Sequence, residues 1–216
     1  MSILLAGGTG VIGQALLDQG SNAHNIITVG RRPTGSAARE IVADFTNLPP
    51  LPPAETAISV LGTTIGKAGS REAFHAIDYG AVMSFAQAAR ATGTRHFIVV
   101  TAVGADPSSA VFYSRVKGEV ERDLLNLGFD RLDIMQPGLL RGPRSETRPV
   151  ESLLKAIAPL TDLAMQGPWR RYRSIHAKIV ARSLLQACED TTFGVFVHGF
   201  EEICRLAREF ESTQHS

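Results

Sequence analysis

A doubly wound α/β fold, a parallel sheet with helices on both faces, is the class that this sequence predicts. Three observations predict it. Short β-rich runs alternate with longer segments of helical period. The runs are rich in Ile and Val without polar alternation, as in strands buried on both faces. A glycine cluster sits where the first run gives way to the first helix.

The elements follow in order. The first strand spans 2–6 and the first helix 11–19, and further strands run over 25–30, 40–43 and 56–61. A long helix over 72–92 leads to a strand at 95–102, whose core reads His-Phe-Ile-Val-Val. A helix at 111–127 and a strand at 131–136 complete the order β-α-β-β-β-α-β-α-β, in which ligands sit at the carboxyl ends of the strands. The Pro-rich stretch 48–53 is too short for a linker and reads as a surface loop. Beyond Pro137 come an Arg-bearing loop (Arg141, Arg144, Arg148), a helix over 151–157, a second basic loop (Arg170, Arg171, Arg173) and a helix over 175–188. A strand at 193–198 and a helix at 201–210 close the chain, with a frayed tail at 211–216.

The 216 residues, 44% apolar and 20% charged, suit one domain spanning 1–216, with a small substrate-covering part within about 138–190. A chain of this length buries roughly 70% of its unfolded surface, so its core needs no staple. Basic and acidic residues nearly balance, 22 against 21, for a net charge of +1 and no run of like charges. That pattern excludes a nucleic-acid face and a polybasic membrane anchor, and leaves a small molecule as the expected partner of a monomer or homodimer. The two cysteines, Cys188 and Cys204, form no CxxC, and the six histidines form no HxxxH or HExxH, so no metal is expected. The amino terminus lacks a basic n-region and no apolar run suffices to span a bilayer, which predicts a cytoplasmic protein.

Two motifs carry chemistry. Gly7-Gly8-Thr9-Gly10-Val11-Ile12-Gly13 lies between the first strand and first helix. Glycines there permit a tight turn and close approach of backbone N–H groups to a diphosphate, while the helix N-terminus supplies partial positive charge. At the end of the second strand, where a carboxylate would bond the ribose 2′-hydroxyl of NAD(H), the chain carries Arg31-Arg32. A guanidinium can chelate a 2′-phosphate that a carboxylate would repel, so NADP(H) is favoured over NAD(H). Asp44 either accepts a bond from the adenine amino group or shapes a turn.

The second motif is Tyr113-Ser-Arg-Val-Lys117 on a helical segment, where i, i+4 spacing puts both side chains on one face. An ammonium near a phenol favours the phenolate, and lowering its pKa by about three units requires roughly 4 kcal/mol. Such a Tyr exchanges a proton with a carbonyl or alcohol near neutrality.

Together with Leu61-Gly62-Thr63-Thr64, these residues resemble the short-chain dehydrogenase/reductase (SDR) superfamily. The continuation Ile65-Gly66-Lys67-Ala68-Gly69-Ser70, the run Thr101-Ala102-Val103-Gly104-Ala105-Asp106, Lys117-Gly118-Glu119-Val120-Glu121 and Pro137-Gly138-Leu139-Leu140 narrow the likeness. They resemble the atypical branch that includes the Tat-interactive oxidoreductase-like, NADPH-binding proteins. The resemblance covers about residues 2–185 and implies a Rossmann fold. It further implies Tyr113 as proton donor or acceptor and Lys117 on the nicotinamide ribose. Thr9, Gly10, Val11 and Ile12 would line the diphosphate, Leu61 and Gly62, with Thr63 beside them, the adenosine side, and Leu140 and Arg148 the nicotinamide half.

The chain departs from that pattern at three places. A Ser that orients the substrate carbonyl is replaced by Thr101-Ala102, so Thr101 is the expected third catalytic residue. The position of a catalytic Asn in extended members holds Asp78, and an acidic pair near His176 is replaced by Lys178-Ile179. The Arg-bearing loops serve either as solvated charge or as a seat for an anionic substrate group.

The expected function is therefore an NADP(H)-dependent oxidoreductase passing a hydride between nicotinamide and a small carbonyl or alcohol substrate. Two alternatives stand beside it. One is an NADPH-binding regulatory or interaction protein with vestigial catalysis, motivated by Ala102 and Asp78. The other is an NAD-dependent epimerase/dehydratase-like member of the same superfamily.

Overall fold

Every side chain from Ile3 to Ala6 is apolar and fully buried, which a strand achieves only inside a sheet covered on both faces. In the computed structural model, whose described residues are 1–36, 39–141 and 171–214, those residues form β1 (Ser2–Ala6). The other strands are β2 (Asn25–Gly30), β3 (Arg39–Val42), β4 (Thr56–Ser59), β5 (His96–Val100), β6 (Arg131–Met135), β7 (Leu140–Arg141), β8 (Ile175–His176) and β9 (Gly194–His198). Seven of them form one parallel sheet in the order β3-β2-β1-β4-β5-β6-β9, while β7 and β8 pair separately. The order reverses direction between β1 and β4, where a doubly wound sheet opens a crevice at its carboxyl edge.

The helices are α1 (Val11–Gly20), α2 (Ile65–Ala68), α3 (Arg71–His75), α4 (Val82–Ala91), α5 (Phe112–Leu125), α6 (Ala177–Cys188) and α7 (Phe200–Gln214). Strand side chains alternate between two cores. Ile3, Leu5, Ile98 and Met135 pack against α1, α6 and α7, whereas Leu4, Phe97, Leu132 and Ile134 pack against α4 and α5. Burying each such side chain stabilises the fold by about 1.5–3 kcal/mol.

Polar residues interrupt this pattern at Asp133, in the middle of β6. Its fully buried carboxylate accepts bonds from Arg131 Nε at 2.6 Å, Arg131 Nη2 at 2.9 Å, His96 Nε2 at 2.7 Å and His198 Nε2 at 2.6 Å. Four donors satisfy a carboxylate with about four acceptor sites, so the charge is tolerated. These bonds outweigh burial and hold Asp133 well below the usual carboxylate range.

Several expectations need correction. The helix expected over 72–92 begins at Arg71 and contains a π-helical stretch, Ala76–Ala81, between α3 and α4. The helix expected over 175–188 starts only at Ala177, because the Ile175 N–H bonds to the Leu139 carbonyl at 2.9 Å and Ile175–His176 pairs with β7. The strands expected over 56–61 and 95–102 stop at Ser59 and Val100. The tail expected to fray from 211 continues α7 to Gln214. Arg182 pairs with Glu211, and the hydroxyls of Ser212 and Thr213 bond the Glu209 carbonyl, which holds that last turn. The helix expected over 151–157 lies outside the described residues, as do Arg144, Arg148 and Arg170.

Candidate active site

The glycine turn after β1 is shaped by contacts that no side chain would allow. Gly7 has a φ of 94°, and a Cβ on Gly13 would meet the Gly7 carbonyl oxygen at 2.3 Å. α1 can thus begin directly above the end of β1. Its N-cap, Gly10, offers no side-chain bond, and the first turn carries no acidic residue. Gly10, Val11 and Ile12 line the adjoining cleft, so the positive end of α1 faces it.

This cleft, about 1280 Å³, follows the carboxyl ends of β1, β4, β5 and β6. Its described lining includes Thr9, Leu61, Gly62, Thr63, Thr101, Tyr113, Lys117 and Leu140, and also Tyr172, His176 and Lys178. A smaller cleft of about 320 Å³ adjoins it and is lined by Arg31, Arg32, Thr34 and Phe45. The structure therefore brings together the described candidate residues except Asp44 and Gly13, the latter packed against the Gly7 carbonyl behind the cleft wall. Asp44 Oδ1 accepts bonds from the Thr46 N–H and hydroxyl, both at 2.8 Å, so it shapes a turn, and Phe45 lines the cleft in its place. Those bonds also lower the Asp44 carboxyl below its ordinary value.

Tyr113 and Lys117 share one face of α5, at the floor of the larger cleft. Tyr113 packs against Phe74 of α3, with ring centroids 5.7 Å apart. Lys117 is buried, and its Nζ lies 2.7 Å from Asp78 Oδ1. Asp78 Oδ2 accepts the Thr63 N–H at 2.8 Å, which ties the turn after β4 to the same carboxylate. Asp78 belongs to the π-helical stretch, the irregularity through which helices often re-aim functional side chains. Burial raises its carboxyl above the ordinary value, against the opposing effects of Lys117 and the Thr63 N–H.

The phenol does not behave as the sequence suggests. Burial, and next the Asp78 carboxylate, push Tyr113 up, so the depression expected from Lys117 is not what this arrangement produces. The hydroxyl of Thr101 also has a prior partner. It donates to Glu121 Oε1, whose two oxygens each accept from Gln136 Nε2 at 3.0 Å. Burial raises Glu121, and the bonds from Thr101 and Gln136 oppose that shift. Sequence reasoning missed Glu121, although it follows Lys117 by four residues and Tyr113 by eight on one helix face.

A dinucleotide fits these features. Two clefts meet at a helix N-terminus held bare by glycines, with paired guanidiniums in one and a Tyr and Lys in the other. No group of His, Cys, Asp or Glu suited to a metal ion occurs among the described residues.

A family model described as HIM1 matches residues 27–165. "Protein fmp52, mitochondrial" of Aspergillus niger is 32% identical over 207 residues, covering 86% of this chain and 88% of that protein. "Protein FMP52, mitochondrial" of Candida albicans is 34% identical over 157 residues, 69% of this chain and 67% of that protein. Among solved structures, MoeE5 in complex with UDP-glucose and NAD superposes with a TM-score of 0.71 at 16% identity, covering 98% of this chain and 82% of that one. The human epimerase family protein SDR39U1 with NADPH gives 0.64 at 19% identity, covering 92% and 74%. These likenesses show the Rossmann-type fold of the SDR/epimerase-like proteins. The relatives' names, mitochondrial in one fungus after another, overturn the cytoplasmic expectation.

Proposed function

From the chain's membership of the HIM1 family, in which its relatives are the Fmp52 proteins, we propose that it is an NADP(H)-dependent oxidoreductase acting on a small carbonyl or alcohol. The supporting observation is a pair of adjoining clefts, one holding Arg31 and Arg32 and the other Tyr113 and Lys117, that meet at the bare N-terminus of α1. The likeness to the Tat-interactive oxidoreductase-like branch of the SDR superfamily belongs to this same reading. The relatives' names extend the proposal to a mitochondrial setting.

The bound cofactor would supply the hydride. Arg31 and Arg32 would grip its 2′-phosphate, the amides of residues 10–12 its diphosphate, and Lys117 its nicotinamide ribose. Leu140, which lines the larger cleft, would face the nicotinamide, and Arg148 is assigned there by resemblance alone. Tyr113 holds a proton on its phenol oxygen and delivers it to the substrate oxygen as charge develops there. The phenol is protonated near neutrality, the form that carbonyl reduction needs, although burial makes it a weaker acid. The Thr101 hydroxyl is committed to Glu121, so it serves the packing of the cleft wall rather than the substrate oxygen. Asp78 anchors Lys117 and the turn at Thr63.

A second reading is favoured by two of these observations. A phenol that is raised and a Thr101 hydroxyl that is occupied would also suit an NADPH-binding regulator with vestigial catalysis. NADPH oxidation across a panel of aldehydes and ketones, with NADH in parallel, separates the two. Turnover with NADPH supports the oxidoreductase. Tight NADPH binding with no turnover on any carbonyl, and partner capture that changes with cofactor redox state, supports the regulator.

A further inference from the structure

We propose that Lys67 is a phosphate clamp, closing over the diphosphate of the bound dinucleotide from the side opposite α1; the inference rests on the cofactor reading above. The two clefts meet at a seam formed by Thr9 and Gly10 on one side and by residues 60–63 and Lys67 on the other. Of the described residues that line both clefts, Lys67 alone carries charge. The paired guanidiniums lie in the smaller cleft and Tyr113 and Lys117 in the larger, so a dinucleotide spanning both puts its diphosphate at the seam. Two negative charges would then lie between the first-turn amides of α1 and the Lys67 ammonium. A Lys serves phosphate as a point charge and needs no fork geometry.

The backbone that carries Lys67 is fixed at both ends. The Thr64 hydroxyl accepts the Lys67 N–H at 3.2 Å, and Gly69, in the left-handed region at φ 89°, donates its N–H to the Ile65 carbonyl at 3.0 Å. The next residue, Ser70, caps α3 by accepting the Ala73 N–H at 3.1 Å. Lys67 is exposed, so its side chain is dispensable to the core. Lys67 thus stands on a short, capped turn at the seam.

The test is calorimetric titration of the intact chain and of Lys67→Ala and Lys67→Arg with NADPH, NADH, ADP-ribose and 2′-AMP, with thermal melts to verify folding. Lys67→Ala should raise Kd about tenfold for NADPH, NADH and ADP-ribose alike, the loss expected for one charge-assisted bond. It should leave 2′-AMP, which lacks the diphosphate, unchanged, and Lys67→Arg should restore most of the affinity. A folded Lys67→Ala protein with wild-type Kd for all three dinucleotide-type ligands overturns the clamp and leaves the cofactor reading intact. A loss confined to NADPH moves Lys67 to the 2′-phosphate and likewise overturns it. A wild-type chain that binds neither NADPH nor NADH overturns both.

Discussion

Lys117 Nζ lies 2.7 Å from Asp78 Oδ1, with the two side chains only 5% and 0% exposed. The ammonium that would tune Tyr113 is thus already neutralised by a carboxylate on the facing helix. Burial raises Asp78, so its folded pKa lies above its unfolded one. Its contribution to stability is fully present below the ordinary Asp range and is lost as pH rises through the folded pKa. Asp78→Asn should therefore flatten that part of the stability profile, as measured by urea denaturation at a series of pH values. Lys117→Met should cost about 3–5 kcal/mol at neutral pH, because it strands the carboxylate.

Thr101 stands where a substrate-orienting hydroxyl is expected but donates its hydrogen bond to Glu121. Thr101→Val should then lower kcat by about threefold or less and cost about 1–2 kcal/mol in stability. Removing a true oxyanion donor costs about 10² or more in kcat. Steady-state rates with Thr101→Val distinguish the two, and a loss of that larger size would return Thr101 to the substrate.

Asp133 has the opposite sign to Asp78. Its folded pKa is depressed by bonds from His198, His96 and Arg131, so the stability it contributes is present above the ordinary Asp range and is lost as pH falls through the folded value. Asp133→Asn should cost about 3–5 kcal/mol near neutrality, because it leaves the buried Arg131 with only the half-exposed Asp190 as counter-ion. The gap between variant and wild type should narrow in acid, as equilibrium unfolding from neutral to strongly acidic pH would reveal.

Much of this was legible because the responsible residues are local. The all-apolar run 3–6 and the glycines at 7, 10 and 13 announce a buried strand and a bare helix start, and Tyr113 and Lys117 announce a shared helix face. What was hidden depends on partners distant in sequence. The π-helical stretch around Asp78 has apolar spacing compatible with an ordinary helix, and its irregularity matters only because Lys117 and Thr63 meet the carboxylate there. The Thr101–Glu121 bond joins β5 to α5, so the hydroxyl's direction could not be read from its place on a strand end. The two-residue pairing of β7 with β8 is too short to leave a periodic trace.

Arg31 and Arg32 are exposed and line the smaller cleft. Replacing both with Ala should weaken NADPH by about tenfold to a hundredfold while leaving NADH nearly unchanged, since only the former carries a 2′-phosphate. Parallel titrations by nicotinamide fluorescence measure the ratio. An equal loss for both cofactors would count against 2′-phosphate recognition.

In the proposed reaction Tyr113 supplies the proton as hydride is transferred. Its most direct test is a single-turnover rate of NADPH oxidation, with a carbonyl substrate found in the panel, for wild type and Tyr113→Phe. The variant should bind NADPH with unchanged Kd and transfer hydride at least about a hundredfold more slowly. Equal rates in the two proteins would contradict the account.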